Sequence, residues 1–249
     1  MKQLTVLSHN AFWFQGVPFP TDKPLAPDGE LLKRLCAIYR EVNPDIICLQ
    51  EIQDRKTFDM VSEHLGMPGC YCAGTTLPQY GGSVLWHPHV GRQIRDSQGA
   101  KLKTQRMWQA VEVDGNNLCL RICNVHLPSA RQLGAERAAA QRIAELQDLI
   151  RSCEPGLDII VGDFNEQPGG AASEYLERCG YVNVTTLSGR ADVPTNIGAG
   201  RGDHIWIKRQ MASYVVTYDV AAKQELACGD TGKQYLSDHL PLWITVKYR

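Results

Sequence analysis

Apolar residues recur along this chain in short runs of strand length, punctuated by glycine, proline and small polar residues. The runs cover 4–8, 45–50, 83–87, 107–113, 118–125, 157–162, 203–208, 214–218 and 241–246. Most of these runs are rich in Val, Ile, Leu and aromatic residues, the composition of strands. Two segments carry a helical period instead, 30–41 and 134–151. In the second, Ile143, Leu146, Leu149 and Ile150 share a face, and Arg137, Arg142, Glu145 and Arg151 are expected to stay wet. The order of strands and helices is neither a clean βαβ alternation nor an all-β pattern. It predicts a sheet-rich α/β sandwich with mixed strands. No repeat and no linker composition interrupts it, so 1–249 reads as one domain.

Composition narrows this picture. The 249 residues carry 26 Lys+Arg against 27 Asp+Glu, a formal net charge of −1. That excludes gripping nucleic acid by a global positive field and leaves room for a local basic groove. The longest stretch free of charged side chains, 66–91, is broken by glycines and prolines and reads as a loop region, not a membrane span. The first residues hold no secretory apolar segment, and the nine cysteines are an odd number, several inside apolar runs. The expectation is a cytoplasmic protein with reduced core thiols and no membrane segment. The motifs GxxxxGK[ST], GxSxG and HExxH are absent, which disfavours P-loop and serine-hydrolase chemistry.

A set of polar residues closes the apolar runs. LTVLSHN ends in Asn10, DIICLQE in Glu51, LCLRICNVH in His126, and LDIIVGDFN in Asp163 and Asn165. Asp203 heads the run DHIWI, and SDH places Asp238 and His239 just before the last strand. Each residue alone has a plainer reading as a turn, a cap or a solvated charge. Strand ends converge at one rim of a layered sandwich, so together they predict a cleft of carboxylates, amides and imidazoles. Such a set suits metal-assisted phosphoester hydrolysis. Glu51 and Asp238, with Asn10 nearby, offer oxygens to Mg²⁺. Asp163 is placed to act on a water, while Asn165, His126 and His239 can meet developing negative charge. Asp203 can hold His239 in one tautomer and stabilise its imidazolium.

The pieces LSHNAF, DIICLQE, NVHLPS, VGDFNEQP, RGDHIWI and LSDHLPL, in this order, resemble the endonuclease/exonuclease/phosphatase superfamily, which includes DNase I, AP endonucleases, tyrosyl-DNA phosphodiesterases and neutral sphingomyelinases. The resemblance implies a four-layer α/β/β/α sandwich of two mixed sheets flanked by helices, with Mg²⁺ or Mn²⁺ as cofactor. It implies Glu51 as principal metal ligand with Asn10 and Asp238 near the metal, Asp163 acting on the water or leaving group, Asn165 orienting phosphate or water, and His239 paired with Asp203 at the scissile phosphate. His126 stands where AP endonucleases carry a tyrosine and DNase I a histidine. Phe12 stands where AP endonucleases and tyrosyl-DNA phosphodiesterases carry an acidic residue, a departure from those two branches.

The expected function is therefore a divalent-metal-dependent hydrolase of phosphodiesters, a nuclease or nucleotide-type phosphodiesterase. An inositol-phosphate or phospholipid phosphoesterase is the alternative, with a non-catalytic scaffold of the same fold behind it. Arg92, Arg95, Lys101, Lys103 and Arg106 either line the cleft or form a solvated loop. Arg106, Thr195, Asn196 and Arg201 are expected substrate contacts. Phe12, Trp13, Phe14 and Phe19 either stack on a substrate or belong to the core.

Overall fold

The computed structural model describes residues 2–90, 93–102, 104–115, 118–153, 156–229 and 232–248. Its elements, in chain order, are β1 (Lys2–Asn10), α1 (Gly29–Val42), β2 (Ile46–Ile52), α2 (Arg55–Leu65), β3 (Gly69–Cys72), β4 (Gly81–Trp86), β5 (Gln93–Gly99), β6 (Met107–Gly115) and β7 (Leu118–His126). They continue with α3 (Ala130–Leu133), α4 (Ala135–Ser152), β8 (Ile159–Asp163), α5 (Ala171–Arg178), β9 (Tyr181–Asn183), α6 (Val184–Leu187), β10 (Asp203–Lys208), β11 (Val215–Val220) and β12 (Leu242–Tyr248).

The strands form two six-stranded sheets, ordered β11-β12-β1-β2-β4-β3 and β5-β6-β7-β8-β10-β9. Each is mixed, with one parallel pair at its centre, β1 beside β2 and β7 beside β8, and antiparallel neighbours outside it. The second sheet thus repeats the topology of the first.

Alternation along each strand builds the layers. Val6, Ile46, Cys48 and Val84 of the first sheet meet Val111, Ile122, Ile159, Val161 and Ile205 of the second in the central core. Their neighbours Leu7, Ile47, Leu49 and Leu85 face outward onto Leu32, Leu35 and Tyr39 of α1 and Phe58 of α2. Cys123, Val125, Ile160 and Trp206 face outward onto Leu146 and Leu149 of α4 and Leu176 of α5. The result is the expected α/β/β/α sandwich, and burial on both faces explains the continuous apolar runs.

Three expectations need correction. Arg142 and Glu145, expected on the wet face of α4, are buried at 5% and 0% exposure. They lie on the stripe Ala138, Arg142, Leu146, Leu149, so the helical period pointed inward and only their charge pointed out. The 66–91 stretch is not all loop, since it contains β3 and β4. Within the basic segment, 93–99 forms the edge strand β5 against β6; Arg92 and Lys103 lie outside the described residues. Helices α2 and α5 and strands β3 and β9 also form, although their sequences carry short or weakly apolar patterns. Five of the nine cysteines, Cys36, Cys48, Cys123, Cys153 and Cys228, are buried. Among the described residues no helix is long and apolar enough to cross a membrane.

Candidate active site

Register brings the polar strand ends together. In the second sheet Asp163 ends β8 between two partners, pairing with His126 of β7 on one side and Asp203 of β10 on the other. Three of the candidate site residues thus stand abreast on adjacent strands. Gly162, just before Asp163, has φ +140°, and a Cβ there would lie 2.0 Å from the carbonyl oxygen of Val125. Only glycine lets β8 approach β7 this closely. In the first sheet Asn10 ends β1, and Glu51 sits in β2 where its pairing with β4 shifts register between Gln50 and Ile52. Glu51 has φ +57° there, so a bulge re-aims its side chain.

Hydrogen bonds join the two rims. Asn10 Nδ2 donates to Asp163 Oδ2 at 3.1 Å, and Asn10 Oδ1 accepts from Phe12 N at 3.1 Å. Asn165 takes φ +50°, a left-handed turn asparagine tolerates. Its backbone N–H donates to Asp163 Oδ1 at 2.8 Å, and its Nδ2 donates to the Leu127 carbonyl. The SDH loop is fastened by Ser237 Oγ, which donates to the Asn10 carbonyl and accepts from His239 N. His9 Nε2 meets the His239 carbonyl at 3.1 Å, while His9 Nδ1 meets the Tyr39 hydroxyl at 2.6 Å. The carbonyl is an acceptor only, so Nε2 carries the proton and Nδ1 accepts from Tyr39. Burial lowers the His9 pKa to about 3, so the ring is neutral.

Both Asp203 oxygens lie 2.9–3.0 Å from His239 Nδ1, and Thr195 Oγ1 donates to Asp203 Oδ2 at 2.7 Å. Burial alone would lower the His239 pKa. The charges of Asp203, Asp238 and Asp163 outweigh it and hold the pKa well above the ordinary value, so the ring is an imidazolium at neutral pH. Its Nε2 lies 3.9 Å from Asp163 Oδ2 and 3.9 Å from Asp238 Oδ1.

His126 differs. It is fully buried, and burial together with the neighbouring Arg106 charge lowers its pKa to about 3. Its Nε2 contacts the Arg106 guanidinium and lies 3.3 Å from Asp163 Oδ2 and 3.8 Å from Glu51 Oε1. Arginine only donates and a carboxylate only accepts, so this neutral nitrogen serves one of them at a time.

The two carboxylates are poised oppositely. Burial would raise Asp163, but the His239 charge, a hydrogen bond from His126 and the Arg106 charge hold it well below the carboxylate range. Burial pushes Glu51 up to about 8, with Arg106 opposing and Asp238 adding to the rise. Glu51 Oε2 and Asp238 Oδ1 are buried and have no hydrogen-bond partner. Such orphaned oxygens are what a hard divalent cation would satisfy. Oxygens of Asp163 and Asp203 and a nitrogen of His239 also lie within 4.8 Å of one another. There, however, Asp203 is already committed to His239 and Thr195, and the imidazolium supplies the positive charge.

A cavity of about 840 Å³ opens over this floor, lined by Glu51, Asp163, Asn165, Asp238, His239 and Arg106, with Phe12, Trp13, Phe19 and Tyr80 along its wall. Arg106 is buried and its guanidinium lies 4.4 Å from the Tyr80 ring centre. Thr195, Asn196 and Arg201 do not line it. Asn196 Oδ1 accepts from the backbone of Gly198 and Gly200, and Arg201 donates to the Ala191 carbonyl. Lys101 is exposed outside the cavity, with its backbone N–H on Asp148.

Several residues that support the site were not assigned to it from the sequence. Arg142 donates to the carbonyls of Pro128 and Asn165 and pairs with Glu166 at 3.3 Å. Glu145 accepts from Gln105 N, beside Arg106. Arg142 was findable as a charge inside an apolar helical stripe. Tyr39, in α1, carried no such signal.

Comparison with known structures gives the same fold. The endonuclease/exonuclease/phosphatase from Bacteroides vulgatus matches with TM-score 0.75 at 16% identity, covering 100% of both chains. TDP2 from Caenorhabditis elegans matches with TM-score 0.67 at 18% identity, over 99% of this chain and 75% of that one. A humanized D. rerio TDP2 matches with TM-score 0.67 at 16% identity, over 99% of each chain. At these identities the likeness is one of fold. No curated protein matches the chain. The model of the Endonuclease/Exonuclease/phosphatase family matches residues 7–239, which include every residue of the site from Asn10 to His239, and the chain belongs to that family.

Proposed function

We propose that the protein is a divalent-metal-dependent phosphodiesterase. The observation that carries this reading is the pair of orphaned buried oxygens, Glu51 Oε2 and Asp238 Oδ1, beside an ionised Asp163 and a charged His239. Glu51 and Asp238 would hold Mg²⁺ or Mn²⁺, with Asn10 nearby. When bound, the cation supplies Lewis acidity and neutralises phosphate charge.

The protein's own groups supply the rest. His239 presents Nε2–H of an imidazolium to a phosphate oxygen, a charge-assisted hydrogen bond that strengthens as charge develops. Asp203 fixes the tautomer and charge of His239, and Thr195 fixes Asp203, so Thr195 is a positioning residue. Asp163 stays ionised and accepts a hydrogen bond from the attacking water, aligning it toward phosphorus. Asn165 orients the same water or the phosphate. Neutral His126 is a hydrogen-bonding partner rather than a source of charge, and Arg106 places a fixed positive charge over the floor.

The test is turnover of a panel with Mg²⁺, Mn²⁺ or EDTA: single- and double-stranded DNA, RNA, an aryl phosphodiester, an inositol polyphosphate and sphingomyelin. Cleavage of a diester that EDTA abolishes and metal restores is expected. Metal-independent cleavage, or activity confined to phosphomonoesters, would contradict the reading.

A further inference from the structure

The cavity has a second chemical character, and it comes from a strained turn. Immediately after Asn10, the consecutive residues Phe12, Trp13 and Phe14 have φ of 49°, 50° and 57°. Three non-glycine residues in the left-handed region in succession are rare, and such conformations persist only where the surroundings enforce them. Here Asn10 Oδ1 accepts from Phe12 N, Ala11 N donates to the Gln50 carbonyl, and the Trp13 indole donates to the Gln79 carbonyl at 2.6 Å. The turn is thereby anchored to the ends of β1 and β2, which carry the site.

The turn divides its aromatic residues. Trp13 and Phe14 are buried at 3% and 0% exposure and belong to the packing. Phe12 and Phe19 are only partly buried and face the cavity. Their centroids are 6.2 Å apart with planes at 88°, a corner backed by Trp13, which lies 5.5 Å from Phe12 and 6.2 Å from Phe19. A flat ring laid on one face of such a corner meets the other edge-on, both favourable aromatic geometries. A volume of about 840 Å³ falls in the range of small-molecule sites. Of the basic segment at 92–106, Arg106 lines the cavity, and Arg131 lines it as well.

We infer that Phe12 and Phe19 form a subsite for a flat aromatic ring next to the scissile phosphate, making the substrate a small nucleotide-like phosphodiester. The inference rests on the phosphodiesterase reading for the word scissile, while the ring subsite itself can be measured without turnover.

Isothermal titration with Mg²⁺ present would compare adenosine 5′-monophosphate, ribose 5-phosphate and hexyl phosphate, on wild type, Phe12→Leu, Phe19→Leu and Phe12→Tyr. Thermal unfolding of each variant checks folding. Wild type is expected to bind the nucleotide at least about tenfold tighter than either other phosphate, in keeping with the strength of base–aromatic stacking. The two leucine variants should bring that ratio to about two, and Phe12→Tyr should keep it. Since Phe19 lies outside the strained turn, Phe19→Leu decides the matter if Phe12→Leu does not fold. No nucleotide binding at millimolar concentration, hexyl phosphate binding as tightly as the nucleotide, or a ratio unaffected by Phe19→Leu would each overturn the subsite. Hydrolysis of thymidine 5′-(p-nitrophenyl) phosphate and methyl p-nitrophenyl phosphate is measured alongside. Turnover of neither with the binding ratio intact refutes the phosphodiesterase and leaves the subsite standing; equal turnover of both with no binding ratio refutes the subsite alone.

Discussion

The two sheets share a topology, and each delivers a carboxylate from the second strand of its parallel pair, Glu51 from β2 and Asp163 from β8. Both are buried, yet burial leaves Glu51 at about 8 and fails to lift Asp163. The difference is company. Asp163 has His126 abreast of it, His239 across from it and Asn10 and Asn165 donating to it. Glu51 faces Asp238 and keeps one oxygen without a partner. The Asp163 rim is satisfied within the protein, while the Glu51 rim keeps two buried oxygens, Glu51 Oε2 and Asp238 Oδ1, without a partner.

The sharpest way to break this comparison is on the Asp163 side. Asp163→Asn keeps the shape and removes the charge, and kcat/KM is expected to fall at least about 10²-fold with the thermal midpoint retained. A lowered midpoint with activity lost in proportion would make Asp163 structural. On the other side, Glu51→Gln should raise the Mg²⁺ or Mn²⁺ concentration for half-maximal activity by about tenfold or more. Metal should also raise the thermal midpoint of wild type more than that of the variant. An unchanged metal titration would remove Glu51 from the ligand set.

Asp203→Asn tests the pairing that keeps His239 charged, with an expected loss of about tenfold. His239 is protonated below its raised pKa and loses its charge as pH climbs through it. Losing Asp203 lowers that pKa, so the alkaline fall in activity should move to lower pH. An alkaline limb that stays in place would assign it to another group.

The smallest effect lies away from the floor. Burial pushes Glu145 from 4.5 up to about 7. The folded protein therefore keeps a proton that the unfolded chain has released between those values. Its contribution makes stability fall as pH rises from about 4.5 to about 7. Glu145→Gln should flatten that slope and gain up to about 3 kcal/mol at pH 8, a few degrees in Tm, with activity largely retained. Parallel Tm-against-pH curves for the two proteins would contradict it.

Much of the candidate site was legible because polar residues that bound apolar runs gather at one rim of this fold. Asn10, Glu51, His126, Asp163 and Asp203 each close or open an apolar run, and residues at strand ends on one rim must approach one another. The roles of Thr195, Asn196 and Arg201 were less legible. Their proximity to Asp203 in sequence suggested the cleft, but Thr195 turns its hydroxyl to Asp203 and the other two bond within their own loop. Likewise charge placed Arg142 in water, whereas the carbonyls of Pro128 and Asn165 offered it partners inside.

By itself the sequence determined the layers, since continuous apolar runs demand burial on both faces, and it determined which polar residues stand at the rim. Tertiary structure decided the register that sets Asp163 between His126 and Asp203, the bulge that turns Glu51, and the protonation of each group. Hydrophobic periodicity is a property of neighbours along the chain. Register and pKa are set through space by what else is buried within a few ångströms, and that is known only once both sheets have closed on each other.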